Sequence, residues 1–233
     1  MNWVCGIDAG SLRTTSWVAW LKGRDFLLDA YCAGLGPLPP VPPEVSGSVT
    51  CYAMDAPQGL PALGSLNRRC DKEAGTPTNR LPASQKELKE WKLFKGLIEM
   101  GIAVFWELSA TPGICIHGRE GNSEKITAIE TYPRKTAKIF GLDPLPSKKK
   151  EPIAYVRHVW GFLRHAGFRC DSVLTPSADQ VDAMLCAMVA QAFMEDDVCS
   201  NSLGLAPFSY PGDDFLREGF IVCPTAKWHR RVK

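Results

Sequence analysis

Residues 3–11 read Trp-Val-Cys-Gly-Ile-Asp-Ala-Gly-Ser, an apolar run that closes on a single carboxylate, Asp8, and then turns small. An acid in that position usually forms a turn or caps a helix. Another role needs other acids placed in the same way, and the chain supplies them. "SVTCYAMDAP" (48–57) is a second apolar strand, ending at Asp55, and "KITAIETYP" (125–133) is a third, with Glu130 near its end. If these three strands are parallel neighbours, their acids gather at one edge of a sheet, where open α/β sheets place ligands.

Around that frame the order of elements is legible. "TTSWVAWLKG" and "DFLLDAYCAG" follow the first strand on short connections, and "LKGRD" has the glycine and charges of a hairpin turn, so an antiparallel meander is expected. The proline-rich "GPLPPVPPEVSG" is excluded from helix and central strand. "SQKE" (84–87) is a capping box, with Ser84 as N-cap and Glu87 three residues on. The helix expected after it carries Leu88, Trp91, Phe94, Leu97 and Ile98 on one face. "GIAVFWEL" fits a strand or a buried segment equally well.

Proline then opens a short helix, "RKTAKIFGL", and a second helix, "IAYVRHVWGFLRHAG", follows with Ile153, Val156, Trp160 and Leu163 as its apolar face. "SADQVDAMLCAMVAQAFMEDD" is the clearest helix, with a second capping box from Ser177 and Gln180. "EGFIVCPTA" reads as a closing strand. The expectation is an α/β fold: a mixed five-stranded sheet flanked by helices, in one domain spanning 1–233, with an insertion over about 59–125 between the fourth and fifth core strands.

Bulk properties set limits. The chain has 233 residues and a net charge of +2, so any nucleic-acid binding must come from a local patch. Nine cysteines without a CxxC pair read as reduced thiols of a cytoplasmic protein. Cys115 and His117 make only a weak metal pair. No apolar run reaches the ~18 residues of a membrane span, so no membrane partner is expected.

Two further acids, Asp179 and Asp182, lie three apart on the last long helix and share a face. Asp182 borders the apolar side, while Asp179 lies nearer the solvated start. Carboxylates gathered with Asp8 and Asp55 would repel one another unless protonated or neutralised. Hard oxygen donors suit Mg²⁺ or Mn²⁺, and two such ions, ~4 Å apart, support phosphodiester hydrolysis.

The first strand ending in "GID", the meander and the late acidic helix resemble the ribonuclease H-like fold. More narrowly, "GIDAG", "MDAP", "RRCD", "ETYP" and "DQVDAMLCAMVA", in this order, resemble the domain of unknown function 429 family, whose members are described by fold analogy as RNase H-like nucleases. The resemblance implies a metal-dependent nuclease acting on nucleic acid or nucleotides. Asp8 would be the bridging ligand, Asp55, Glu130 and Asp182 would complete the catalytic set, and Asp179 would support the metal.

It also places Arg68, Arg69 and Asp71 of "NRRCD" near the cleft, where the arginines could hold substrate phosphates; Asp71 reads equally as a surface partner of either arginine. Lys148, Lys149 and Lys150, with Arg157 and Arg164 beyond them, read as a solvated surface or as a phosphate-binding face.

Two rival functions stand beside the nuclease. "GIDAGSLRTTSWVAW" resembles the phosphate-binding hairpin of actin-like ATPases and sugar kinases, although the chain has no Gly-Gly pair for their adenosine motif. The third possibility is a binding protein that keeps the fold without catalysis.

Overall fold

The computed structural model describes residues 2–77, 80–119, 126–196 and 198–232. Parts of the expected insertion, and Lys125 at the start of "KITAIETYP", lie outside the described residues.

Alternation along the first strands builds three layers. β1 (Trp3–Asp8), β2 (Ser16–Lys22) and β3 (Asp25–Tyr31) form the expected antiparallel meander. Gly23, at φ 64°, takes the left-handed position in the tight β2–β3 turn. β4 (Val49–Asp55) then pairs parallel to β1, and β6 (Ile126–Thr131) parallel to β4. The chain therefore makes the three acid-bearing strands parallel neighbours, in the order β1-β4-β6.

Side chains of these strands point alternately to opposite faces. Val4, Ala53 and Ile129 join one core, against α4 (Pro133–Ile139), α5 (Pro152–His165) and α6 (Ala178–Glu195). Ile7, Met54 and Ala128 join the other, against α3 (Lys95–Ala110). Proline opens both α4 and α5, where its missing N–H costs nothing. α6 is apolar almost all round because it is covered on nearly every side, and both halves of its capping box form (Gln180 N to Ser177 Oγ 3.1 Å, Ser177 N to Gln180 Oε1 2.7 Å). It lies so close to β1 that a Cβ on Gly6 would meet the Ala187 nitrogen at 2.1 Å and the Ala183 oxygen at 2.2 Å.

The sheet is larger than expected, with nine strands among the described residues instead of five. β7 (Arg169–Cys170) extends it beyond β3. β5 (Ile114–Ile116) and β9 (Arg217–Pro224) share the outer edge of β6, one beside each half. β8 (Ser200–Phe208) closes the sheet antiparallel to β9. β5 and β7 are too short to carry a period, and β8 is an exposed edge strand containing Gly204 and Pro207.

Between β4 and β6 the chain also forms α1 (Arg69–Ala74) and α2 (Gln85–Glu90). The helix after Ser84 starts as expected, with Glu87 N donating to Ser84 Oγ at 3.2 Å. It then stops after one turn and a half, where Trp91 turns extended (φ −69°, ψ 143°), and α3 begins after Phe94, which holds a left-handed φ of 54°. "GIAVFWEL" belongs to α3, with Met100, Val104, Phe105 and Leu108 buried against the sheet. α5 turns Tyr155, Val156, Val159, Trp160 and Leu163 inward and leaves Ile153 exposed. α7 (Ala226–Val232) follows the closing strand and buries Trp228.

Candidate carboxylate site

Register places the first two acids side by side. Asp8 and Asp55 are the last residues of β1 and β4 and are direct partners in the parallel ladder. Each shares the face of its strand that meets α6: Asp8 continues the series Val4, Gly6, and Asp55 continues Cys51, Ala53. α6 answers with Asp182, one turn into the helix and buried. Asp179, one turn nearer the start, has a side chain 52% exposed. The sequence-based placement of these four acids matches the structure, including which of the helical pair faces inward.

Lys148 joins them from the chain between α4 and α5. Its ammonium lies 3.0 Å from Asp8 Oδ2 and 2.9 Å from Asp179 Oδ1, and it donates a hydrogen bond to Asp182 Oδ2. Tyr155 of α5 donates its hydroxyl proton to the other Asp182 oxygen. The sequence offers Lys148 only as part of a solvated or phosphate-binding lysine run, and the structure turns it to the acids instead; Tyr155 carries no sequence-based expectation. Lys148 is one of three consecutive lysines, and Tyr155 sits within a helix of ordinary amphipathic pattern.

The electrostatics follow from crowding. Burial, and then the Asp182 charge, push the Asp8 carboxyl up to about 8 despite the pull of Lys148. Asp55 is raised as well, by burial first and then by Asp8 and Asp182. Burial also raises Asp182, with Lys148 and Tyr155 opposing. Burial alone would lower the Lys148 pKa; Asp182, Asp8 and the bond to Asp179 outweigh it and raise it. No described residue donates a hydrogen bond to Asp55, and it is the one acid of the group that Lys148 does not touch.

Glu130 is placed differently from the expectation. It pairs with Met54, not with Asp55, so it occupies the row before the two aspartates and turns to the opposite face. There Arg68 grips it with two bonds (Nη1 to Oε2 2.6 Å, Nη2 to Oε1 2.7 Å), and the Gln58 backbone N–H adds a third at 2.7 Å. The same guanidinium holds Asp71 at 2.9 and 3.0 Å.

Cys70, Asp71 and Glu130 bring possible ligand atoms within 4.8 Å of one another, but Arg68, bonded to both acids, supplies the positive charge there. Burial raises Glu130 while Arg68 pulls it back. Arg68 is 1% exposed and fully engaged, so it is not set out to receive substrate phosphates as expected. Arg69 points away to solvent and pairs with Glu73 at 2.6 Å. Asp71 does pair with an arginine, but in the interior and not on the surface. Cys115 and His117 do not converge: His117 bonds Ser202 at 2.7 Å and packs against Phe193 and Phe220.

A cleft of about 180 Å³ opens between the two groups of acids, with Asp55 and Glu130 both in its wall. Its remaining surface is mainly apolar and includes Pro57, Phe94, Leu97, Ile98 and Tyr132. Phe94 is 45% exposed, held there by its unusual backbone.

These features define a mixed α/β protein with a carboxylate centre at the C-terminal ends of two central parallel strands. Residues 6–202 match the family described as Protein of unknown function (DUF429), and the chain belongs to that family. No curated protein and no solved structure matches it. Among the described residues, no helix is long and apolar enough to cross a membrane.

Proposed function

We propose that the chain is a metal-dependent phosphodiesterase of ribonuclease H-like architecture, acting on nucleic acid or nucleotides. One observation carries this reading: Asp8 and Asp55 stand in register at the ends of adjacent parallel strands while Asp182 opposes them from α6. The meander β1–β3, followed by parallel β4 and β6, agrees with the fold on which the resemblance rests.

The donor set fits a hard divalent cation such as Mg²⁺ or Mn²⁺. All the groups are carboxylates, burial first and then their mutual repulsion raise the pKa values of Asp8 and Asp55, and Asp55 accepts no hydrogen bond from a described residue. Asp8 and Asp55 would hold the ion. When bound, it supplies Lewis acidity to a phosphoryl oxygen and to the attacking water. Asp182, fixed by Tyr155 and Lys148, keeps negative charge behind the ligands. The neighbouring cleft offers Phe94 and Tyr132 to a flat apolar group, which suits a nucleobase attached to the phosphate.

The test is cleavage of labelled single- and double-stranded DNA, RNA and dinucleotides with Mg²⁺ or Mn²⁺, beside Asp8→Asn and Asp55→Asn. Cleavage by the wild type, falling to background in both variants, is the expected result. Equal cleavage by Asp8→Asn, or no cleavage of any substrate, overturns the reading.

A further inference from the structure

The Asp8 centre already contains a cation, the ammonium of Lys148. It touches Asp8, Asp179 and Asp182 and leaves Asp55 alone. Its neighbours Lys149 and Lys150 are exposed and pair with no acid among the described residues, so one lysine of the three has been drawn in. The acids thus divide. Asp179 and Asp182 belong to Lys148, Asp55 is open, and Asp8 is shared.

We infer that the centre takes one divalent cation, on the Asp8–Asp55 side, and that Lys148 fills the place a second ion would need on the Asp179–Asp182 side. The inference rests on the metal reading given above and specifies its stoichiometry. Asp182 has one oxygen on Tyr155 and the other on Lys148, so neither is open to a second ion unless the lysine leaves. A second ion would have to displace the ammonium from three acids at once. If the ammonium stayed, two divalent ions beside it would put more positive than negative charge on the four carboxylates. Like charges at contact range repel strongly in a site largely removed from water.

The next group of acids follows the same pattern, since Arg68 supplies the cation between Asp71 and Glu130. Side-chain cations thus serve both flanks of this sheet end and leave Asp55 as the open carboxylate between them.

Counting bound Mn²⁺ tests the inference, by calorimetry and by electron paramagnetic resonance on the full chain. The wild type should bind one Mn²⁺ with the spectrum of an isolated ion. Lys148→Met and Lys148→Ala should bind two, a doubling, with the spectrum of a coupled pair. Two ions in the wild type overturn the inference and leave the metal reading standing, as does a single ion of unchanged affinity in the Lys148 variants. No ion bound by the wild type removes both. Should neither variant fold, the wild-type count decides alone: one ion sustains the inference and two refute it.

Discussion

At the end of β4, Asp55 faces α6 and accepts no hydrogen bond from any described residue; one strand over, Glu130 faces α3 with both oxygens held by Arg68. The two acids sit at the same sheet edge, Glu130 buried and Asp55 partly exposed in the cleft wall, and the positive charge near each is supplied in a different way. Arg68 is planar, 1% exposed and bound on two sides, so its ion pairs form part of the interior. Lys148 is a point charge on a flexible stem with a third of its side chain in solvent, so its contacts can be exchanged. The counter-charge is locked at Glu130 and exchangeable at the Asp8–Asp182 group.

The largest expected effect breaks the locked side. Arg68→Met leaves Glu130 and Asp71 buried without a partner and should cost ~3–5 kcal/mol of stability by urea unfolding. Lys148→Met should cost ~1 kcal/mol or less, since its acids can take up protons and its side chain is partly solvated. Equal losses in the two variants would erase the distinction.

Next comes pH. A folded Asp8 titrating at about 8 binds its proton more tightly than the unfolded chain does, whose carboxyl has the ordinary value of 3.8. Between those values the native state carries more protons, so metal-free stability should fall as pH rises, by up to ~1.4 kcal/mol per pH unit from Asp8 alone. Thermal melts across this range should show that slope, and both Asp8→Asn and added Mg²⁺ should flatten it. A slope unchanged in Asp8→Asn would locate the crowding elsewhere.

The open side can also be ranked residue by residue. At a metal concentration one hundred times Kd, binding should add ~2.7 kcal/mol to stability. Asp55→Asn should abolish that gain, Asp182→Asn should keep part of it, and Asp179→Asn should keep nearly all. A full gain in Asp55→Asn would place the ion away from β4. The smallest effect belongs to Arg69→Ala, which breaks an exposed pair and should shift stability by less than ~0.5 kcal/mol in the same unfolding assay.

Most of the central sheet could be read from the chain because each of its acid-bearing strands is an apolar run with a marked end. The position of the acid was legible where it is the last strand residue, at Asp8 and Asp55. Glu130 does lie near the end of its strand, but one residue short of it, and it does not join the other acids. Thr131 still belongs to β6, and a shift of one residue changes the face. Lys148 could not be chosen from three identical neighbours, because only the path of the chain between α4 and α5 selects it. The break before α3 left no local sign either: Trp91 to Phe94 contain no glycine or proline, although Phe94 takes a left-handed φ. Capping signals, by contrast, are written within four residues: the box of α6 closes in both halves, while at α2 Ser84 caps the Glu87 N–H and the Glu87 carboxylate takes the Ala83 N–H instead of that of Ser84.

The contact between Gly6 and α6 bears on precision. Asp8 stands two residues after Gly6, and Asp182 one residue before Ala183, whose carbonyl presses on that glycine. Main chain rests on main chain there, with no compressible layer of side chains between. The gap separating the two acids is therefore gauged by a hard stop, and the thermal breathing of rotamers elsewhere in the core has little means of widening it. A methyl group at position 6 would act as a shim, moving one jaw of the site away from the other with no acid removed from the chain.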